Sequence, residues 1–269
     1  MKCRIHWILC CVCLVLITMQ PRAYAEGSVS TPAPPRIPFG PGESFTFSVG
    51  YGLINAGETT LTVEPMLNYY GSEVYHVRAR ARSNRFFSAI FRVRDQVESY
   101  IDATELYARY FNKHIREGSF RRDVEIHFDH EQKKAYYPDG RENEIPFGVQ
   151  DVLSAFYYVR AMELNDGDDF LLPTHGDKAL YDLRILVHGR EMVDSMLGSK
   201  SCIKIEPILD GHDKLFRHEG QLYVWLTDDD DRVPVLLKAN IAVGAIEAKL
   251  TQYTPPTPID LSDDSHDGR

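Results

Sequence analysis

Cysteine is nearly absent from this chain once its first segment is set aside. Of five cysteines, Cys3, Cys10, Cys11 and Cys13 fall within the first 25 residues and only Cys202 lies beyond them. One thiol cannot close an internal disulfide, so packing must hold the fold. Long hydrophobic runs are equally scarce. After the run Trp7–Met19, none approaches the ~20 residues a membrane-spanning helix needs. The catalytic signatures G-x-S-x-G, H-E-x-x-H, the P-loop and G-x-G-x-x-G are missing, and no catalytic residue or cofactor is expected. Basic excess is missing too. Lys and Arg number 30 against 39 Asp and Glu, a net charge of −9, which disfavours nucleic acid or an anionic membrane as a partner through bulk charge.

What is present begins with export. Lys2 and Arg4 precede the apolar run, and Ala23-Tyr24-Ala25 closes it, the grammar of a secretory signal peptide cut after residue 25. A lipoprotein leader would place a cysteine just after the run, whereas here the cysteines lie inside or before it. Cleavage removes Lys2, Arg4 and Arg22 and no acid, moving the charge to −12. The mature chain is expected to be soluble and periplasmic, without a transmembrane anchor. Residues 26–38 and 255–269, rich in Pro with Ser or Asp, read as a disordered linker and a disordered acidic tail. Residues 39–254 read as a single β-rich domain.

Period-two alternation runs through most of that domain. Phe45, Phe47, Val49 and Tyr51 share one face of a strand opposite Ser44, Thr46 and Ser48, as a half-buried strand requires. After the turn "GLINAG", Thr59, Leu61 and Val63 repeat the pattern. Tyr75, Val77, Ala79 and Ala81 then oppose His76, Arg78, Arg80 and Arg82. Further strands are predicted at 93–101, 106–115, 124–128, 135–138, 180–188, 201–209, 221–226, 233–240 and 245–253, with turns at "PDG" and "LDGHD". The expectation is a mainly β protein, a large curved antiparallel sheet or open barrel. The exception is Val149–Leu164, where Val149, Val152, Leu153, Phe156, Tyr157 and Val159 follow helical spacing, with Asp151 and Arg160 suiting the dipole. A lone amphipathic helix has to bury its stripe on the concave side of the sheet. "SNRFFSAIFRV" suggests a second short helix or loop.

The order of "GYGLINAGE", "QDVLSAFYYVR", "CIKIEP" and "LYVWLTDDDDRVPV" resembles the domain of unknown function 3108 family of exported bacterial proteins, over about Pro38 to Tyr253. The resemblance implies a Gram-negative envelope location and a curved sheet with a helix, similar in outline to lipoprotein-carrier folds. It implies no activity.

Site chemistry has to come from residues. Asp228–Asp231 are contiguous and lack the alternating spacing of a calcium loop. They read as a solvated hairpin turn, with Asp228 pairing with Arg232 or a neighbouring base. No metal site is expected: His76, His114, His127 and His130 lack ligand spacing and read as surface or rim residues. Cys202, mid-strand, reads as a buried inert thiol. Phe86, Phe87, Phe91, Val152, Phe156, Tyr157 and Trp225 are the residues expected to line an apolar cavity, although core packing is the plainer reading of the phenylalanines. Arg78, Arg80, Arg82 and Arg94 form the candidate anion-binding row, or a charged face that blunts the sheet. Together these point to a non-catalytic envelope protein that binds a lipid or other apolar small molecule. The rival is a structural or assembly protein that meets an envelope partner through its surface, with an enzyme third.

Overall fold

The computed structural model describes residues 36–52, 54–210, 221–240 and 244–257. The predicted leader 1–25, most of the predicted linker and tail, and the predicted turn at 211–213 lie outside the described residues. The elements run β1 (Ser44–Tyr51), β2 (Ile54–Tyr69), β3 (Ser72–Ser83), α1 (Arg85–Ile90), β4 (Arg94–Asp102), β5 (Ala108–Glu117), β6 (Phe120–Asp129), β7 (Lys134–Tyr136) and β8 (Glu142–Glu144). Then follow α2 (Val152–Ala161), β9 (Asp169–His175), β10 (Leu180–Ser195), β11 (Gly198–Asp210), β12 (Leu222–Thr227), β13 (Pro234–Asn240) and β14 (Ala245–Thr254).

All the strands join one antiparallel sheet in the order β8-β7-β6-β5-β4-β3-β2-β1-β14-β13-β12-β11-β10-β9. It is two meanders fused where β1 pairs with β14, so the first and last strands meet mid-sheet and β8 and β9 form its edges. The sheet curls without closing. Helix α2 packs on both β4 and β9, which stand far apart in the strand order. Only a strongly curved sheet brings both onto one helix, and α2 therefore lies on the concave side. The edge at β9 is covered: its Pro173 carbonyl accepts from the N–H of Gln150, whose own carbonyl accepts from His175 N–H at 2.7 Å. Covering an edge in this way blocks pairing with a foreign strand.

Burial follows the predicted alternation. Phe45, Phe47 and Val49 are buried while Ser44, Thr46 and Ser48 are half-exposed. One apolar cluster joins inner-face side chains of both meanders, such as Val97, Phe111, Ile185 and Leu250, to Leu153, Tyr157 and Val159 of α2. Opposite the end of β3 only glycine fits on β2, because a Cβ on Gly57 would lie 2.3 Å from the Arg82 carbonyl oxygen.

Several expectations need adjusting. Strand β2 begins at Ile54, inside the predicted "GLINAG" turn, which shrinks to the residues about Gly52 (φ 57°). Strands β8 and β9 were not foreseen, since "ENE" has no apolar residue and "DFLLPTH" carries Pro173 and lacks clean alternation. Helix α2 is shorter than Val149–Leu164. Asp151 is its N-cap, in a capping box with Ser154, and Val149 and Gln150 are spent on backbone hydrogen bonds to β5 and β9. The predicted short helix is α1, whose N-cap Asn84 accepts from Phe87 N–H at 2.9 Å.

Candidate functional site

The two ends of α2 each bury an ionisable group. At the N-terminus, Asp151 Oδ1 accepts from the N–H groups of Leu153 (2.7 Å) and Ser154 (3.0 Å), and Ser99 Oγ donates to Oδ2 at 2.6 Å. Burial pushes this carboxyl up to about 6 despite those donors. At the other end, Arg160 Nη1 and Nη2 donate to the two oxygens of Glu43, each at 2.8 Å. Nε and Nη2 also donate to the carbonyls of Arg232 (3.1 Å) and Asp231 (3.0 Å). Phe39, Phe45 and Tyr157 surround the guanidinium. Burial raises the Glu43 carboxyl. The same burial works against the charge of Arg160, but Glu43 outweighs it and holds the guanidinium above its ordinary value. Arg160 thus pins the aspartate turn to the helix.

A second buried set lies where the meanders face one another. Lys113 projects from β5 among Phe111 and Ile115, wholly buried, and its Nζ pairs with Asp177 Oδ1 in the β9–β10 turn. Arg122 Nη2 reaches Asp177 Oδ2 at 2.6 Å. His175 is buried with Nδ1 2.6 Å from the Gly176 carbonyl and Nε2 3.3 Å from Asn143 Nδ2. Burial lowers its pKa to about 4, leaving the ring neutral. Asn143 also donates to the Lys178 carbonyl at 2.9 Å. Asp95 takes a hydrogen bond from Arg116 N–H at 2.7 Å and shares another with the Glu117 carboxyl, with burial raising its pKa. Around Asp177 and His175 these contacts cross from β5, β6 and β8 to the β9–β10 turn. Chemically they clasp the open side of the sheet.

The cavity candidates do not converge. Tyr157 is fully buried in the α2 cluster; Val152 and Phe156 are half-buried and pack on its margin. Trp225 is buried but alternates with Val224 and Leu226 on β12, donating its indole N–H to Glu191 beneath Lys204. Phe86 on α1 is 71% exposed, Phe87 and Phe91 are partly exposed, and α1 packs on β2 and β3. The arginine candidates do share a face. Registers place Arg78 against Glu98, Arg80 against Gln96, and Arg82 against Arg94. Arg78 is engaged by Glu64 and Glu98, each at 2.5 Å, and Arg80 by Gln96 at 3.1 Å.

His76 and His130 are buried, not rim residues. His130 packs on Tyr107 at 3.9 Å between centroids and its Nε2 lies 2.7 Å from the Ala108 carbonyl; His76 packs edge-on against Tyr100. Cys202 is buried with its thiol pushed up to about 11. Asp228 pairs with Arg232 (3.2 Å) and Arg190 (2.9 Å). Asp229 accepts from Thr227 Oγ1 at 2.6 Å, and Asp230 pairs with Arg36. The stretch is a hydrogen-bonded turn between β12 and β13.

Residues 46–251 match the protein family of unknown function DUF3108. The chain belongs to that family. No curated protein matches it. Among solved structures, this DUF3108 chain resembles a β-barrel-like protein of domain of unknown function DUF1849 from Brucella abortus, with a TM-score of 0.54 and 7% identity over 81% of this chain and 99% of that one. That likeness concerns the fold. A candidate exported protein of YmcC-like fold from Bacteroides fragilis aligns with a TM-score of 0.37 and 10% identity, covering 81% and 98% of the two chains. A candidate lipoprotein from Parabacteroides distasonis gives 0.36 and 8%, again covering 81% and 98%. Among the described residues, no helix is long and apolar enough to cross a membrane.

Proposed function

We propose that this DUF3108 protein is exported to the periplasm and acts there as a non-catalytic binding protein that meets its partner through its surface. The supporting observation is how the interior ionisable groups are used. Glu43 and Arg160, Lys113 and Asp177, and Asp151 with Ser99 are engaged with each other, and the helix shares one apolar cluster with the sheet it lies against. Groups committed in this way hold the curl together. A carrier for one lipid or other apolar molecule is the second reading, favoured by the exposed Phe86 and Ile90 of α1. Mass spectrometry of lipids released from protein purified from its native envelope separates the two. The surface reading expects no stoichiometric lipid; one tightly held lipid per chain overturns it. N-terminal sequencing of the same material should begin at Glu26, and a lipid on a leader cysteine would contradict soluble export.

A further inference from the structure

Three connections at one end of the sheet form a continuous surface. The chain between β3 and β4 is tied to the start of β2 by hydrogen bonds from Asn84 N to the Ala56 carbonyl (3.0 Å) and from Asn84 Nδ2 to the Asn55 carbonyl (2.7 Å). It is tied to the β5–β6 turn by Gly118 N donating to the Arg92 carbonyl at 2.8 Å and by the bridge between Val93 and Glu117. Phe91 lies over Gly118 so closely that a Cβ there would be 2.8 Å from its ring. From this knitted end project Ile54 (56% exposed), Phe86 (71%), Ile90 (73%) and Phe120 (47%).

The charge on the chain between β3 and β4 has one sign. The segment 82–94 contains Arg82, Arg85, Arg92 and Arg94 and no acid, and all four are exposed. Arg121, also exposed, extends the set from β6, its Nη1 donating to the carbonyls of Gly118 (2.8 Å) and Phe120 (2.7 Å). Arg82 and Arg94 stand directly opposite each other on β3 and β4, a like-charge pairing that Glu58, opposite Arg82 on β2, offsets on one side only. A protein of net charge −9 thus carries a basic, apolar-tipped end.

We propose that this end docks on a bilayer surface bearing anionic phospholipid head groups. Guanidinium groups grip phosphate with paired hydrogen bonds. Phenylalanine and isoleucine tips projecting beyond them enter the boundary between head groups and acyl chains, as amphipathic interfacial segments do. The local field overrides the acidic bulk, because screening limits the effect of charges elsewhere on the molecule to about 8 to 10 Å. The inference rests on the surface-acting reading and names its partner.

The test uses the exported chain purified from the periplasm and sedimentation with vesicles of phosphatidylethanolamine containing phosphatidylglycerol, beside vesicles of phosphatidylcholine alone. Binding to the anionic vesicles that weakens with salt is expected. Arg85→Gln with Arg94→Gln should weaken it roughly twenty-five-fold, about fivefold for each arginine. Phe86→Ser with Ile90→Ser should weaken it at least tenfold while leaving the far-UV spectrum and unfolding midpoint unchanged, since both side chains are exposed. Failure to bind anionic vesicles, binding to phosphatidylcholine that is equally tight and salt-insensitive, or a self-association removed by the Phe86/Ile90 variant without any vesicle binding would each overturn the proposal. Vesicle binding together with one stoichiometric internal lipid would remove the surface-only reading and leave the docking face standing. No internal lipid and no vesicle binding would do the reverse.

Discussion

Replacing Arg160 by Met tests whether α2 is held by its buried ion pair. The substitution leaves the Glu43 carboxylate, itself fully buried, beside Phe39, Phe45 and Tyr157, and deprives the Asp231 and Arg232 carbonyls of their donor. Removing one partner of a buried pair costs about 3 to 5 kcal/mol, a large part of the ~5 to 15 kcal/mol by which a domain is stable. Glu43→Gln keeps an acceptor for one guanidinium N–H and should cost about 2 to 3 kcal/mol. The double replacement Arg160→Met with Glu43→Leu leaves neither charge stranded and should recover at least half of the single-variant loss, a coupling of about 2 kcal/mol or more. Urea unfolding followed by Trp225 fluorescence and far-UV circular dichroism measures each corner of the cycle. The pH dependence has a fixed sign. Burial raises the Glu43 carboxyl, so in Arg160→Met the folded state binds a proton that the unfolded state has released above its ordinary range. The deficit of that variant should therefore shrink as pH falls toward 4.5. A loss under about 1 kcal/mol for Arg160→Met, or single losses that simply add, would refute the reasoning.

Asp229→Asn with Asp230→Asn should move stability by under about 0.5 kcal/mol with or without millimolar calcium, because an amide at position 229 still offers its Oδ1 to Thr227 and position 230 loses only an exposed pair with Arg36. A calcium-dependent rise in melting temperature that the double variant abolishes would instead mark a metal loop. Phe156→Ala should cost about 2 kcal/mol, roughly half the value for a closed-core phenylalanine, since the ring is half-buried at the edge of the cluster; a loss above about 4 kcal/mol in urea unfolding would mean a sealed site. Asp151→Asn keeps the helix cap but removes a carboxyl whose pKa in the fold is raised to about 6. The wild type binds that proton when folded and loses it when unfolded between its ordinary value and about 6, so its stability falls as pH rises through that window. Melting curves should show the Asn variant gaining on the wild type by about 2 kcal/mol from pH 4 to pH 7, and a constant difference would place the carboxyl in a more polar setting.

Alternation was legible because one face of each long strand meets an apolar core and the other meets water: Phe45, Phe47 and Val49 can be assigned to the core from their spacing alone. The order of the strands was not legible. Local pattern says nothing of whether β1 pairs with its sequence neighbour alone or also with β14, and that pairing decides that the sheet is two fused meanders. The helix ends were blurred for a related reason. Val149 fits the helical spacing and Gln150 lies inside the predicted span, but their backbone groups serve β5 and β9, and tertiary hydrogen bonds override a weak local preference.

The interior charges were hidden by a rule that usually works, that Lys, Arg, Asp and Glu lie outside. The same alternation that found the core contained the exceptions. Lys113 falls between Phe111 and Ile115, and Glu43 shares the parity of Phe45, Phe47 and Val49; each is a charge on an apolar face, and each proves to be wholly buried. Their partners could not be found from spacing, because Asp177 and Arg160 come from distant segments that only the curl brings near. A buried charge costs too much to persist unpaired, so a charge at a core position of a strand already announces a partner elsewhere in the chain. Here the two announced pairs fix opposite contacts of the curl: Arg160 with Glu43 joins α2 to the approach of β1, and Lys113 with Asp177 joins β5 to the β9–β10 turn. A sheet whose edges do not pair needs such fixed points, since without ladder hydrogen bonds between β8 and β9 its curvature rests on the helix and on side chains that reach across.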